Sequence, residues 1–275
     1  MPRGLLGPID LRDPLVREHP LNRGLVAKWL CLPGLDGGNR WFDVCGLNHG
    51  TLTNMTTAGT SGWGPTTRPG GFGEMRFDGT DDSIATTASI SGLSVCTTSM
   101  WAKRATTQRM EITQGDNSFG RYTFGPAEDG NIYVVPAALT AYASIANPVN
   151  SSGGLDMYTM VFDGTQTGNA DRVRFWVNGI ERTPLIFVGI IPATIGTFSQ
   201  NLGFGMRYPS GGYSTGSMDS APIYNRALSS AEILWLYNEE RTGHRETIRR
   251  VWTPSPRSGL FVPRRTLYKS TSRSI

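Results

Sequence analysis

The segment "VRFWVNG", Val173 to Gly179, alternates strictly: Val173, Phe175 and Val177 fall on one face, Arg174, Trp176 and Asn178 on the other. A period of two is the mark of a half-buried strand, and the closing Asn-Gly pair is a tight reversal. Reading outward in both directions, the same kind of text recurs in "GLVAKWLCL" (24–32), "SVCTTSMWAKR" (94–104), "GRYTFG" (120–125), "NIYVV" (131–135), "LDMYTMVFDG" (155–164) and "NLGFGMRY" (201–208). About a dozen short strands fit this pattern. The composition agrees, because 34 Gly, 17 Pro and only 17% charged residues favour turns over long helices. A chain of 275 residues can bury one large β domain.

One helix interrupts the strands. In "LSSAEILWLYNEERTG" (228–243), Ser229 and Glu232 have capping-box spacing, and Leu228 and Ile233 suit a hydrophobic staple. Ile233, Leu236 and Tyr237 make the apolar stripe, and Gly243 suits the C-terminal cap. The reading is a short C-terminal helix over 229–241 laid on a β body. Prolines at positions 2, 8, 14 and 20 make residues 1–23 an arm. Residues 242–275 are a basic tail rich in Pro and Arg: from Arg241 onward lie nine of the 26 Lys and Arg residues and one of the 22 acids. Such a tail suits contact with nucleic acid or an acidic protein surface, or is only a solvated or docking extension. Specific nucleic-acid reading is not expected of it.

No stretch reaches the ~18 apolar residues needed to span a membrane. The N-terminal text holds no signal-peptide run, so synthesis in a cytoplasm is expected. Cys31, Cys45 and Cys96 are odd in number and form no CxxC pair, and they are expected to be free thiols.

The stretch "MRFDGTDDSI" (75–84) gathers Asp78, Asp81 and Asp82 around a Gly. Asp and Gly side by side reverse a chain, and "FDGT" recurs at 162–165 in a similar setting, so a turn is the leading reading. A calcium site stays open, because calcium takes six to eight oxygens and acidic loops supply them. Catalytic motifs are weak. "GYSTG" (212–216) matches a nucleophile elbow formally, with Asp219 and His244 following, but the Ser is followed by a strand instead of a helix. No strand carries alternating carboxylates of the kind glycoside hydrolysis uses, and Glu111 and Glu128 stand alone, as solvated carboxylates do. No enzyme activity and no required cofactor are expected.

Three segments in this order carry a family resemblance: "RGLVAKWL…FDVCGLNHGTLTN" (23–54), "GGFGEMRFDGTDDSI" (70–84) and "GSMDSAPIYNRALSSAEILWLYNEE" (216–240). They resemble the laminin-G-like, concanavalin-A-like jelly-roll domains, over roughly residues 24–241. The resemblance implies an all-β, two-sheet antiparallel sandwich. It implies Asp43, Asp78 and Asp219 as the leading calcium candidates, although Ser220 and Ala221 depart from the usual acidic and β-branched pair. Such domains bind sugars or proteins through rim loops, and Trp41, Trp63, Tyr208 and Tyr213 sit in Gly-rich text suited to stacking on a sugar ring. Members also occur as virus-particle decoration or fibre components. The expected role is thus a non-enzymatic surface-assembly protein, held through both arms to copies of itself or to a particle shell. The alternative is a lectin-like adhesion module, exported and binding a surface glycan.

Overall fold

A computed structural model describes residues 18–242, apart from 32–37, 56–58, 105–108, 116–119, 128, 130, 147–153 and 208–211. Two antiparallel sheets face each other. The first runs from Ile180–Arg182 through Val173–Val177 and Asp156–Asp163 to the long strand Val95–Arg104. That strand divides its partners. Thr97 and Thr98 pair with Ser220–Tyr224, which continues to Leu25–Leu30, whereas Ala102 to Arg104 pair with Thr215–Met218, which continues to Glu74–Asp78 and Gly62–Gly64. The second sheet runs from Ile186–Val188 through Tyr142–Ala146, Asn131–Val135, Arg121–Pro126 and Ile112–Gly115 to Gly203–Phe204, Ser83–Ala85, Gly50–Thr53 and Arg40–Asp43. Arg40–Asp43 also pairs with Leu25–Leu30 and so joins the two sheets.

The expected jelly-roll sandwich is present, with twenty strands among the described residues instead of about a dozen. Several of them are only two to four residues long, too short to leave a periodic trace in the sequence. A single-turn helix at Asn169–Arg172, unforeseen, precedes the Val173 strand.

The space between the sheets holds the main core, where Phe175 of the first sheet stacks on Phe124 of the second with centroids 6.1 Å apart. Val173, Phe175 and Val177 all face it, as their alternation requires. Trp176 differs from the reading, because its face is also buried: the helix Ser230–Arg241 lies over it, and Ile233 and Leu236 join Trp101, Met157 and Trp176 in a second core. The capping box is formed, with Glu232 N–H donating to Ser229 Oγ and Ser229 N–H donating to Glu232 Oε2. Gly243 lies outside the described residues; at that end Thr242 N–H and its hydroxyl both bond the Asn238 carbonyl.

The packed body starts before residue 24. Pro20–Asn22 forms a 3-10 turn, and Leu21 is buried in the second core beside the helix. Cys31, Cys45 and Cys96 form no disulfide, as expected. Burial pushes the Cys96 thiol up to about 12, so it packs as an apolar group.

Candidate functional site

The residues expected to bind do not converge on one place. Trp41 is a correction: it is fully buried, with Phe204 edge-on at 4.9 Å and Trp29 beside it at 6.3 Å, and has no face for a ligand. Its strand pairs with Gly50–Thr53, which turns the ring inward. Trp63 is half-buried against the main core and donates its indole N–H to the Gly38 carbonyl. Tyr213 is half-buried on a two-residue strand opposite Met206, and Tyr208 lies outside the described residues.

The acidic candidates are likewise separate. Buried Asp43 accepts from four backbone N–H groups, those of Lys28, Cys45, Leu47 and Asn48, and so organises the 43–48 loop. Buried Asp219 pairs with Arg68 Nε at 2.6 Å, and burial raises its pKa despite that partner. Asp78 belongs to a cluster with Asp81 and Asp82 whose ligand atoms lie within 4.8 Å of one another. Within it, Asp78 Oδ1 accepts from Thr80 N–H, and Asp82 accepts from Ser61 Oγ and Asp78 N–H. These bonds build the turn read at 78–82.

A different place offers a site. On the outer face of the second sheet, register aligns two cross-strand rows. Ile112 opposes Phe124, which sets Glu111 level with Gly125, and Gly125 opposes Tyr133; Thr123 opposes Val135. Glu111, Thr123, Tyr133 and Val135, together with Arg121, Asp129, Leu139 and Tyr142, line a depression of about 300 Å³. Gly125 sits between Glu111 and Tyr133 in this row: at φ 149° it adopts a backbone that L side chains rarely take, and a Cβ there would collide with the Met110 carbonyl.

The walls divide by chemistry. Glu111 is 2% exposed, which corrects its reading as a solvated carboxylate. Arg121 and Thr123 are buried beside it, and the Thr123 hydroxyl has no hydrogen-bond partner among the described residues. Facing them are the half-buried rings of Tyr133 and Tyr142, 5.6 Å apart and tilted by 58°, and Leu139, which is 47% exposed. Asp129 accepts from the Tyr133 hydroxyl at 2.5 Å, from Asn131 N–H and from Asn131 Nδ2. Burial pushes the Asp129 carboxyl up, but these bonds outweigh it and hold the group below the usual carboxylate range. The carboxylate in turn fixes the Tyr133 ring and raises its hydroxyl pKa.

Acceptors, donors and a hydroxyl on one side and aromatic faces on the other suit a polyhydroxylated ring, whose edges bond and whose C–H face stacks. A larger groove of about 550 Å³ on the first sheet, lined by Glu74, Arg76 and Lys103, is less suited, because Arg76 and Glu74 pair with each other at 3.0 Å. Glu128 lies outside the described residues. Arg121, Thr123, Tyr133 and Tyr142 went unmarked in the sequence reading. Alternation shows that Arg121 and Thr123 face away from Tyr122 and Phe124, but which outward residues become neighbours depends on register between strands.

A family model described as the concanavalin A-like lectin/glucanases superfamily matches residues 78–234, more than half of the chain. No curated protein matches the chain in sequence. Among solved structures, domain 4 of AbnA, a GH43 extracellular arabinanase from Geobacillus stearothermophilus in complex with arabinotriose, is similar with a TM-score of 0.54 and 17% identity, over 78% of this chain and 98% of that one. Botulinum neurotoxin type C, whose cell entry depends on interaction with two ganglioside molecules, gives 0.52 and 13%, over 80% and 52%. The binding domain of botulinum neurotoxin DC in complex with SialylT gives 0.51 and 12%, over 80% and 52%. This chain thus spans about half the length of the neurotoxin chains it matches. At these identities the likeness is one of fold.

Proposed function

The chain belongs to the concanavalin A-like lectin/glucanases superfamily, and on that premise we propose that it is a carbohydrate-binding module whose site is the depression on the outer face of the second sheet. The observation that carries this reading is the meeting of buried Glu111, Arg121 and Thr123 with the Tyr133 and Tyr142 rings around one depression. Solved relatives in fold bound to arabinotriose and to SialylT support it. The module is proposed to be non-catalytic. Glycoside hydrolysis needs two carboxyl groups about 5–9.5 Å apart facing the bond, and of the two here Asp129 has both oxygens engaged by Asn131 and Tyr133. No cofactor is required for such a role.

The test is titration against arabinotriose, sialyllactose and a broad glycan array. Binding of at least one glycan is expected, with Tyr142→Ala weakening it about tenfold, near 1.4 kcal/mol, and Glu111→Gln weakening it as well. A failure to bind any glycan, or binding that both substitutions leave intact, would overturn the proposal. Release of free sugar by the wild type, lost in Glu111→Gln, would overturn the non-catalytic reading.

The charge distribution favours a second role alongside this one. With nine basic groups against one acid, the segment from Arg241 to Ile275 suits attachment to an acidic protein surface. In this reading the domain is a decoration or fibre component of a virus-type particle, or of a similar assembly of copies of itself, and the glycan is its external target. Sedimentation of the full chain and of residues 18–242 at rising salt tests it. Assembly is expected of the full chain alone and is weakened by salt; equal assembly of both rejects the role.

A further inference from the structure

On one side of the sandwich each sheet ends in a short strand: Ile180–Arg182, paired with Val173–Val177, and Ile186–Val188, paired with Tyr142–Ala146. Between these two edges a cavity of about 270 Å³ leads into the gap between the sheets, with Val173, Pro184, Leu185 and Phe187 among its walls. Directly opposed residues share a face of a sheet. Arg182 opposes Phe175, which lies in the inter-sheet core, and Phe187 opposes Ala143, which lies there too. Arg182 therefore runs towards the second sheet with its stem among apolar side chains.

Arg182 as a whole is half-buried. Its Nε is buried and has no hydrogen-bond partner among the described residues. The adjacent acid, Glu181, opposes Trp176 on the other face of its strand and borders the cavity from there. Arg174 also borders the cavity, which gives it two cationic residues and one acid. A buried guanidinium N–H without an acceptor is destabilising, and natural interiors retain such groups where something completes them. A carboxylate is the matching group, because it accepts from a guanidinium in a planar, charge-assisted geometry.

We propose that this edge cavity is a second binding site, for a small amphipathic carboxylate: the acid group on Arg182 and a short alkyl or aromatic body between Leu185, Phe187 and Val173. The volume sits just under the usual range for small-molecule sites, about 300–1,000 Å³, so the body is fragment-sized. The site is distinct from the glycan depression and does not rest on it, since the two share no lining residue.

The experiment is calorimetric and thermal titration of the full chain with sodium octanoate below its micelle concentration, with octan-1-ol as the uncharged control. Octanoate is expected to bind and to raise the Tm, with octan-1-ol at least tenfold weaker. Arg182→Met is expected to melt no lower than wild type, since it removes a buried N–H that lacks an acceptor, and to bind octanoate no better than the alcohol. Octanoate that fails to bind, that binds no better than octan-1-ol to wild type, or that binds Arg182→Met with undiminished affinity overturns the proposal. Should that variant not fold, the ratio of acid to alcohol on the wild type still decides.

Discussion

Lys28 Nζ lies 2.9 Å from Glu240 Oε1, with both side chains closed off from solvent. The pair ties Leu25–Leu30 to the last turn of the helix Ser230–Arg241. Ser220 Oγ donates to the same carboxylate oxygen, and Arg68, itself paired with Asp219, donates to the Glu240 carbonyl and lies 4.6 Å over the Trp101 ring. The helix is therefore docked by buried charge as well as by Ile233 and Leu236.

Breaking that pair from one side leaves a bare charge in the interior. Lys28→Met alone or Glu240→Leu alone should cost about 3–5 kcal/mol in urea unfolding, whereas the double substitution should recover most of the loss. A double variant as unstable as the worse single would show that the two charges do not act as a pair.

Glu232 supplies the pH dependence. Its bond to Arg226, 2.7 Å away, followed by those from Ser229, holds its pKa at about 2 against burial, from an ordinary 4.5. A depressed carboxyl stabilises the fold above its unfolded pKa and loses that contribution as pH falls through the folded value. Wild type should exceed Glu232→Gln in stability by about 1 kcal/mol at neutral pH, an amount limited by partial exposure, and the gap should close between about pH 4.5 and 2. A gap that stays constant down to pH 2 would contradict the assignment.

Leu21 belongs to the second core. Because it is buried against Leu228 and Ile233, Leu21→Ala in the full chain should cost about 2–5 kcal/mol. Thermal melting of the variant reads this directly, and an unchanged Tm would return the boundary to residue 24.

The acidic turn makes the calcium test sharp. Asp82 and the Asp78 Oδ1 already accept hydrogen bonds that close the turn, so EDTA is expected to leave the Tm unchanged. A melting point lowered by chelation and restored by calcium would assign Asp78, Asp81 and Asp82 as ligands, through the linkage between binding and stability.

Local features were legible in the sequence because each is set by residues a few positions apart. The Ser229–Glu232 box, the Leu228–Ile233 staple, the alternation of Val173, Phe175 and Val177, and the Asp78–Asp82 turn need no distant partner to form. Even there the outer face of Val173–Val177 was misjudged, since only the packed helix reveals that Trp176 is covered. Trp41 was misplaced for the same reason: Gly-rich flanks look like a loop, and only pairing with Gly50–Thr53 turns the ring into the core. The sites depended wholly on tertiary structure. Arg121 and Thr123 share one strand, Tyr133 lies on its neighbour and Glu111 just before the strand on its other side, and Arg182 becomes an inter-sheet cation only because it opposes Phe175. By itself the sequence determined the strand class, the helix and the turns, which follow from short-range periodicity and capping. Register and sheet closure decided which side chains meet, because a shift of one residue in strand pairing sends every side chain to the opposite face.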